Sequence, residues 1–155
     1  MQLTASVAIL RGQDDVFAYL ASRTNLPEWS SGVGAVKKVT KGVVGAGTRF
    51  RIENKIGGRM LASTYEITAF DAPASISGRN TGLLSFDETF DLLAVQDGTE
   101  VTQRAEVTIG GHFLFLAPLL KLMLTSQIKK DLAGLKRVLE GQAVNAGAES
   151  QAGAE

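Results

Sequence analysis

The 155-residue chain balances sixteen basic residues with sixteen acidic ones, so no net field draws it to nucleic acid or to an anionic bilayer. It contains no cysteine, which excludes disulfides, thiolate nucleophiles and zinc–thiolate sites. A hydrophobic fraction of 45% at this length suits one globular domain with a substantial core.

Leu3, Ala5, Val7 and Ile9 alternate with Gln2, Thr4 and Ser6, the pattern of a half-buried strand. No basic residues precede these apolar ones, so the segment reads as a strand and not as a secretory leader. Gly12 ends it. A helix is predicted over Gln13 to Ser22, with Asp14 and Asp15 at the positive end of its dipole and Val16, Phe17, Leu20 and Ala21 as its buried stripe. Asn25-Leu26-Pro27-Glu28-Trp29 reads as a second, very short helix, with Asn25 as N-cap and Pro27 in the first turn.

Period two then takes over. Val33 to Thr40 and Thr48 to Ile56 are strands separated by a glycine-rich turn, and the second puts Phe50, Ile52 and Asn54 on one face. Gly57-Gly58 is the strongest hairpin signal, since two-residue primed turns need positive φ at both central positions. Arg59 to Phe70 follows, with Leu61, Ser63, Tyr65 and Ile67 sharing a face, and Asp71-Ala72-Pro73 turns the chain. Ser75 to Thr81 is a shorter strand. Next, Leu84, Phe86, Glu88, Phe90 and Leu92 face one way, and after the Asp97-Gly98 turn Val101, Gln103, Ala105, Val107 and Ile109 do the same.

Gly110-Gly111 hands over to a long helix starting near Ala117, where Pro118 is tolerated. Leu120, Leu124, Ile128, Leu132, Leu135 and Leu139 form its predicted buried stripe, and Gly141 is its predicted stop. The domain is therefore expected over residues 1–141, with a disordered alanine- and glycine-rich tail over 142–155. The longest apolar stretch, Phe113 to Leu124, is too short for stable membrane insertion, and a cytoplasmic protein is expected.

The class that follows is α+β: a curved antiparallel sheet of about seven strands around a long C-terminal helix, with two short helices between the first two strands. One helix cannot cover such a sheet flush, so the pair tends to enclose a hollow. The order of elements resembles that of the START-like superfamily (SRPBCC, polyketide cyclase/dehydrase and lipid transport), whose helix-grip fold the birch-pollen allergens share. The residues carrying the likeness are Val16-Phe17-Ala18-Tyr19-Leu20, Leu26-Pro27-Glu28-Trp29, Gly45-Ala46-Gly47-Thr48-Arg49-Phe50 and Gly98-Thr99-Glu100-Val101-Thr102. The family's usual proline-rich approach to the first helix is replaced by Arg11-Gly12-Gln13-Asp14. The resemblance implies an apolar cavity and not one activity, since carriers, cyclases, hydrolases and hormone receptors share the fold.

The residues expected around a ligand are Phe50, Phe86 and Phe90 from the sheet, Phe17 and Trp29 from one end, and Leu120, Met123 and Leu124 from the long helix. Asn54, Tyr65, Glu88 and Gln103 are the polar exceptions on the inward face. A buried carboxylate without a partner is driven toward its neutral form, in which Glu88 would donate to a ligand carbonyl or act in proton transfer. The alternatives are a bulge that turns Asp87 inward instead, and a structural pair with Gln103. On the reading of an unpaired acid, Glu88→Gln leaves stability near or above wild type.

His112 is the only histidine and cannot hold a metal by itself. It reads as a residue at the start of the helix near the cavity mouth. No nucleophile elbow, phosphate loop or dinucleotide fingerprint is present, so no catalytic residue, metal or cofactor is assigned. Lys37, Lys38 and Lys41 read as guards of a strand edge. The surplus of apolar residues over Phe113, Phe115, Leu116 and Leu119 leaves four uses open: a tunnel lining, membrane contact during ligand loading, burial in a homodimer, or core packing.

The leading reading is a carrier or sensor that binds a hydrophobic small molecule, lipid-like or polycyclic. The alternatives are a polyketide cyclase/dehydratase-type enzyme using Glu88 and Tyr65, and an interaction module with a filled core that docks through Phe113 to Leu119.

Overall fold

The alternating segments form seven strands: β1 (Gln2–Ile9), β2 (Val33–Lys38), β3 (Arg49–Ile56), β4 (Arg59–Asp71), β5 (Ser75–Thr81), β6 (Ser85–Val95) and β7 (Gly98–Thr108). Three helices accompany them: α1 (Gln13–Ala21), α2 (Leu26–Trp29) and α3 (Ala117–Gly153). A 3₁₀ turn, Arg23–Asn25, joins α1 to α2, and a second, Gly111–Leu116, leads into α3. The computed structural model describes the backbone of residues 1–153 and the side chains of residues 1–142.

All neighbouring strands are antiparallel in the order β1-β7-β6-β5-β4-β3-β2, with α1 and α2 inserted between the two edge strands. This is the helix-grip arrangement. Ile56 pairs with Arg59 across Gly57 and Gly58, whose φ values of 56° and 78° are those of a primed two-residue turn. Register shifts at Val33/Ala35 and Ile67/Ala69 add local bend to an already twisted sheet.

The expected stripe of α1 is buried at Val16, Phe17, Leu20 and Ala21, with Asp14 and Asp15 in its first turn. Asn25 does not cap α2. Its backbone is already helical within the 3₁₀ turn, whereas capping needs an extended residue, and its side chain donates instead to the Tyr19 carbonyl at 3.2 Å.

The stripe of α3 is core only in its C-terminal part. Leu132, Leu135 and Leu139 are at most 1% exposed, while Leu120, Leu124 and Ile128 are half-buried. The reason is where the helix is tied down. Arg11 Nη1 donates to the Leu139 carbonyl at 2.8 Å and Lys136 Nζ to the Ala8 carbonyl at 2.7 Å, fastening that end to β1. The other end overhangs the sheet and leaves space beneath it.

Gly141 lies within α3 rather than ending it, since glycine weakens a helix interior by only about 1 kcal/mol and no proline follows. The expectation of a disordered tail falls outside the residues described with side chains. Among the described residues Gly111–Gln142 is long and apolar enough to cross a bilayer, with a mean hydropathy of 1.2 over its most apolar window. Its C-terminal part nevertheless carries the core leucines.

Leu135→Ala is expected to destabilise the domain by about 2–5 kcal/mol, because the cavity left among the core side chains cannot collapse fully. Leu122→Ala, on the exposed face, should stay within about 0.5 kcal/mol. Urea denaturation of the two variants separates these outcomes.

Candidate functional site

A pocket of about 210 Å³ lies between the concave face of the sheet and the overhanging half of α3. Its apolar wall includes Leu26 and Trp29 from α2, Ile52 from β3, Phe86 and Phe90 from β6, and Leu124 from α3. Drug-sized ligands usually occupy about 300–1,000 Å³, so this space suits a small, compact molecule.

One wall is polar. Glu88 Oε1 accepts from Arg23 Nη2 at 2.6 Å and from the Tyr65 hydroxyl at 2.8 Å, and Glu88 Oε2 accepts from Gln103 Nε2 at 2.9 Å. All four side chains are buried, none more than 7% exposed. Taking two charges out of water is costly unless they meet with good geometry and their remaining polar atoms are bonded. Here the carboxylate has three donors. The guanidinium carbon also lies 4.5 Å from the centroid of Tyr65, 5.4 Å from Phe90 and 6.0 Å from Trp29, and ring faces attract a desolvated cation.

The sheet register assembles this group. Glu88 stands opposite Ala105, so Gln103 is its diagonal neighbour on the same face. Tyr65 is on β4, two strands from Glu88, and β5 intervenes. Gly78 of β5 pairs with Glu88 on one side and Ile67 on the other. A Cβ on Gly78 would lie 2.1 Å from the Tyr65 hydroxyl and from the ring carbon that bears it, so the phenol crosses β5 over a bare backbone to reach the carboxylate. Burial, chiefly, and the adjacent Glu88 raise the Tyr65 pKa well above its ordinary value against the opposing pull of Arg23, so the hydroxyl remains a donor.

A second polar group lies on the α3 side. Asp131 accepts from Ser30 Oγ at 3.0 Å and from Gln127 Nε2 at 2.8 Å, and all three line the pocket. Burial raises the Asp131 pKa despite these hydrogen bonds, and the Glu88 charge adds to the rise. Asn54 also lines the pocket, but its amide donates to the Leu61 carbonyl and to Ser63 Oγ, each at 3.0 Å, apart from the Glu88 group.

Of the side chains expected to surround a ligand, Trp29, Asn54, Tyr65, Phe86, Glu88, Phe90, Gln103 and Leu124 line the pocket. Four do not. Phe17 packs edge-on against Phe70, with centroids 5.2 Å apart, in the core outside the pocket. Phe50 shares a face with Asn54 but sits four residues along β3, about 13 Å away at the rise of a strand, and is fully buried in the core. Leu120 lies one turn before Leu124, past the rim. Met123 is 59% exposed because one residue along a helix rotates the side chain by about 100° away from Leu124. His112 is exposed in the 3₁₀ turn and does not line the pocket. Phe113, Leu114 and Phe115 are exposed as well, so this segment is not packed into the core.

Of the readings open for Glu88, the structure has the pairing with Gln103 and not the unpaired acid, with Arg23 supplying the counter-charge. Arg23 and Asp131 are charged side chains of the pocket wall that the sequence did not single out, although a signal for both existed. Val16, Leu20 and Arg23 keep helical spacing from the buried face of α1 into the 3₁₀ turn that follows it, and Leu124, Ile128, Asp131 and Leu135 do so along α3. A charge on a buried stripe calls for a partner or a site.

Glu88→Gln should therefore destabilise the protein by about 3–5 kcal/mol, because it strands a buried guanidinium. Adding Arg23→Met should recover most of that loss, and a double-mutant cycle by chemical denaturation measures the coupling. Asp131 carries a raised folded pKa, so the native state binds more protons than the unfolded chain across the window above about pH 4, and stability falls as pH rises through it. Asp131→Asn is expected to melt higher than wild type at neutral pH, with the gap shrinking as pH falls toward about 4. A gap that does not change with pH would show that charge is not its cause.

Over residues 1–140 the chain matches the family described as polyketide cyclase / dehydrase and lipid transport. No curated protein matches the sequence. Among solved structures, the Thermus thermophilus protein TTHA0849 superposes with a TM-score of 0.78 at 18% identity, covering 92% of this chain and 99% of that one. A START superfamily protein from Mycobacterium smegmatis gives 0.74 at 12% identity, over 91% of this chain and 98% of its own. The di-domain ARO/CYC protein StfQ of the steffimycin biosynthetic pathway gives 0.75 at 15% identity, over 92% of this chain but 51% of that one, so the chain spans about half of it. At such identities the structures share a fold only. The family match over nearly the whole length and the helix-grip topology agree: the chain belongs to the polyketide cyclase/dehydrase and lipid-transport family of the START-like superfamily.

Proposed function

We propose that the protein binds a small hydrophobic molecule, lipid-like or polycyclic, in the pocket beneath α3, as a carrier or sensor. The supporting observation is the state of the polar wall. Tyr65 donates to Glu88, and Glu88 is held by Arg23 and Gln103, so the groups that a cyclase or dehydratase would use for proton transfer are engaged with one another. They brace an otherwise largely apolar space. Binding in such a space is driven by burial of ligand surface at roughly 25 cal/mol per Å² before the losses of association. The di-domain ARO/CYC likeness lends the enzyme reading a fold and no geometry for the reaction.

The test is direct. Organic extraction of the purified protein followed by mass spectrometry should release an apolar molecule in stoichiometric amount. A compact, neutral, environment-sensitive fluorophore of naphthalene size should bind saturably with a blue-shifted emission, and Leu124→Trp, which narrows the mouth at a half-buried position, should weaken it at least about tenfold without unfolding the domain. Absence of saturable binding, or binding indifferent to Leu124→Trp, would overturn the proposal.

A further inference from the structure

The ionisable side chains in the pocket wall do not cancel. Apart from the tyrosine hydroxyl, three titratable groups line it: Arg23, Glu88 and Asp131. The first two neutralise each other at 2.6 Å. Asp131 makes no ion pair among the described residues. The nearby cations of α3, Lys130 and Arg137, share a separate outer groove with it and stay beyond ion-pair distance. The pocket wall therefore carries one uncompensated acid and no free cation.

Its unpartnered buried polar atoms among the described residues are one acceptor and one donor. Gln103 Nε2 must face the Glu88 carboxylate, which only accepts when ionised, and that leaves Gln103 Oε1 as a buried acceptor without a partner. Arg23 Nε is the other unpartnered buried atom, and its guanidinium is enclosed by the faces of Tyr65, Phe90 and Trp29, which attract donors. An unsatisfied buried acceptor is a standing cost that a donor on a ligand relieves.

We infer that this pocket selects apolar molecules carrying a hydrogen-bond donor, a hydroxyl or a protonated amine, and rejects carboxylates such as fatty acids. The inference rests on the binding function proposed above and specifies its ligand class. A carboxylate finds the guanidinium charge already balanced by Glu88, meets the unpaired oxygen of Gln103 and is repelled by Asp131. A hydroxyl or ammonium group donates to either acceptor.

Four compounds on one ring system provide the test by isothermal titration calorimetry on the full chain: naphthylmethanol, naphthylmethylamine, naphthoate and methylnaphthalene. Naphthylmethanol and naphthylmethylamine should bind at least about tenfold more tightly than naphthoate. In Asp131→Asn, naphthoate should gain several-fold while the amine loses, and Gln103→Leu should cost the alcohol its advantage over methylnaphthalene. Naphthoate binding as tightly as the alcohol and the amine would overturn the donor rule while leaving the binding function intact, as would variants whose affinities for the four compounds equal those of wild type. If none of the four binds, methylnaphthalene included, the binding function itself fails and this inference with it.

Discussion

The interior is organised around the buried pair of Arg23 and Glu88. A cation and an anion, each 5% exposed, occupy space that a plain apolar core would fill with leucine. Such a pair contributes little net stability over apolar replacements, but losing one member is expensive. The structure around it follows from that asymmetry. Tyr65 and Gln103 complete the hydrogen bonding of the carboxylate, and three aromatic rings surround the guanidinium. Gly78 keeps the middle strand bare so that the phenol can cross it. The segment between α1 and α2 is thereby fixed to the centre of the sheet.

That fixation places the pocket. The 3₁₀ turn carrying Arg23 holds α2, and with it Trp29 and Ser30, against one end of the concave face. Ser30 bonds Asp131 of α3 at 3.0 Å, and Gln127 of α3 lies against Ser31 at 3.3 Å. Together with the fastening of the far end of α3 to β1, these contacts suspend the helix across the sheet instead of letting it sink in. The hollow is a product of where the helix is tied, and its polarity comes from the groups that tie it.

The arrangement separates structural charge from charge available to a ligand. Glu88 is fully engaged and acts as a brace. Asp131 and Gln103 retain acceptor capacity at the pocket wall, although Asp131 also fastens α2 to α3. A pocket built in this way discriminates by what it refuses as much as by what it attracts.

Local sequence alone determined the strands, the hairpin at Gly57-Gly58 and the inward placement of Tyr65, Glu88 and Gln103, because period-two alternation and glycine backbone freedom act over a few residues. Helical spacing likewise marked Leu132, Leu135 and Leu139 as core. Only the tertiary structure decided that Arg23 meets Glu88, 65 residues away, since pairing across that separation depends on how the sheet curls and where α2 is seated. It also decided which inward residues face space and which face packing. Phe50 and Asn54 share a face of β3, yet only Asn54 reaches the pocket, because periodicity assigns a side to each residue and says nothing of how far the opposing helix stands from it.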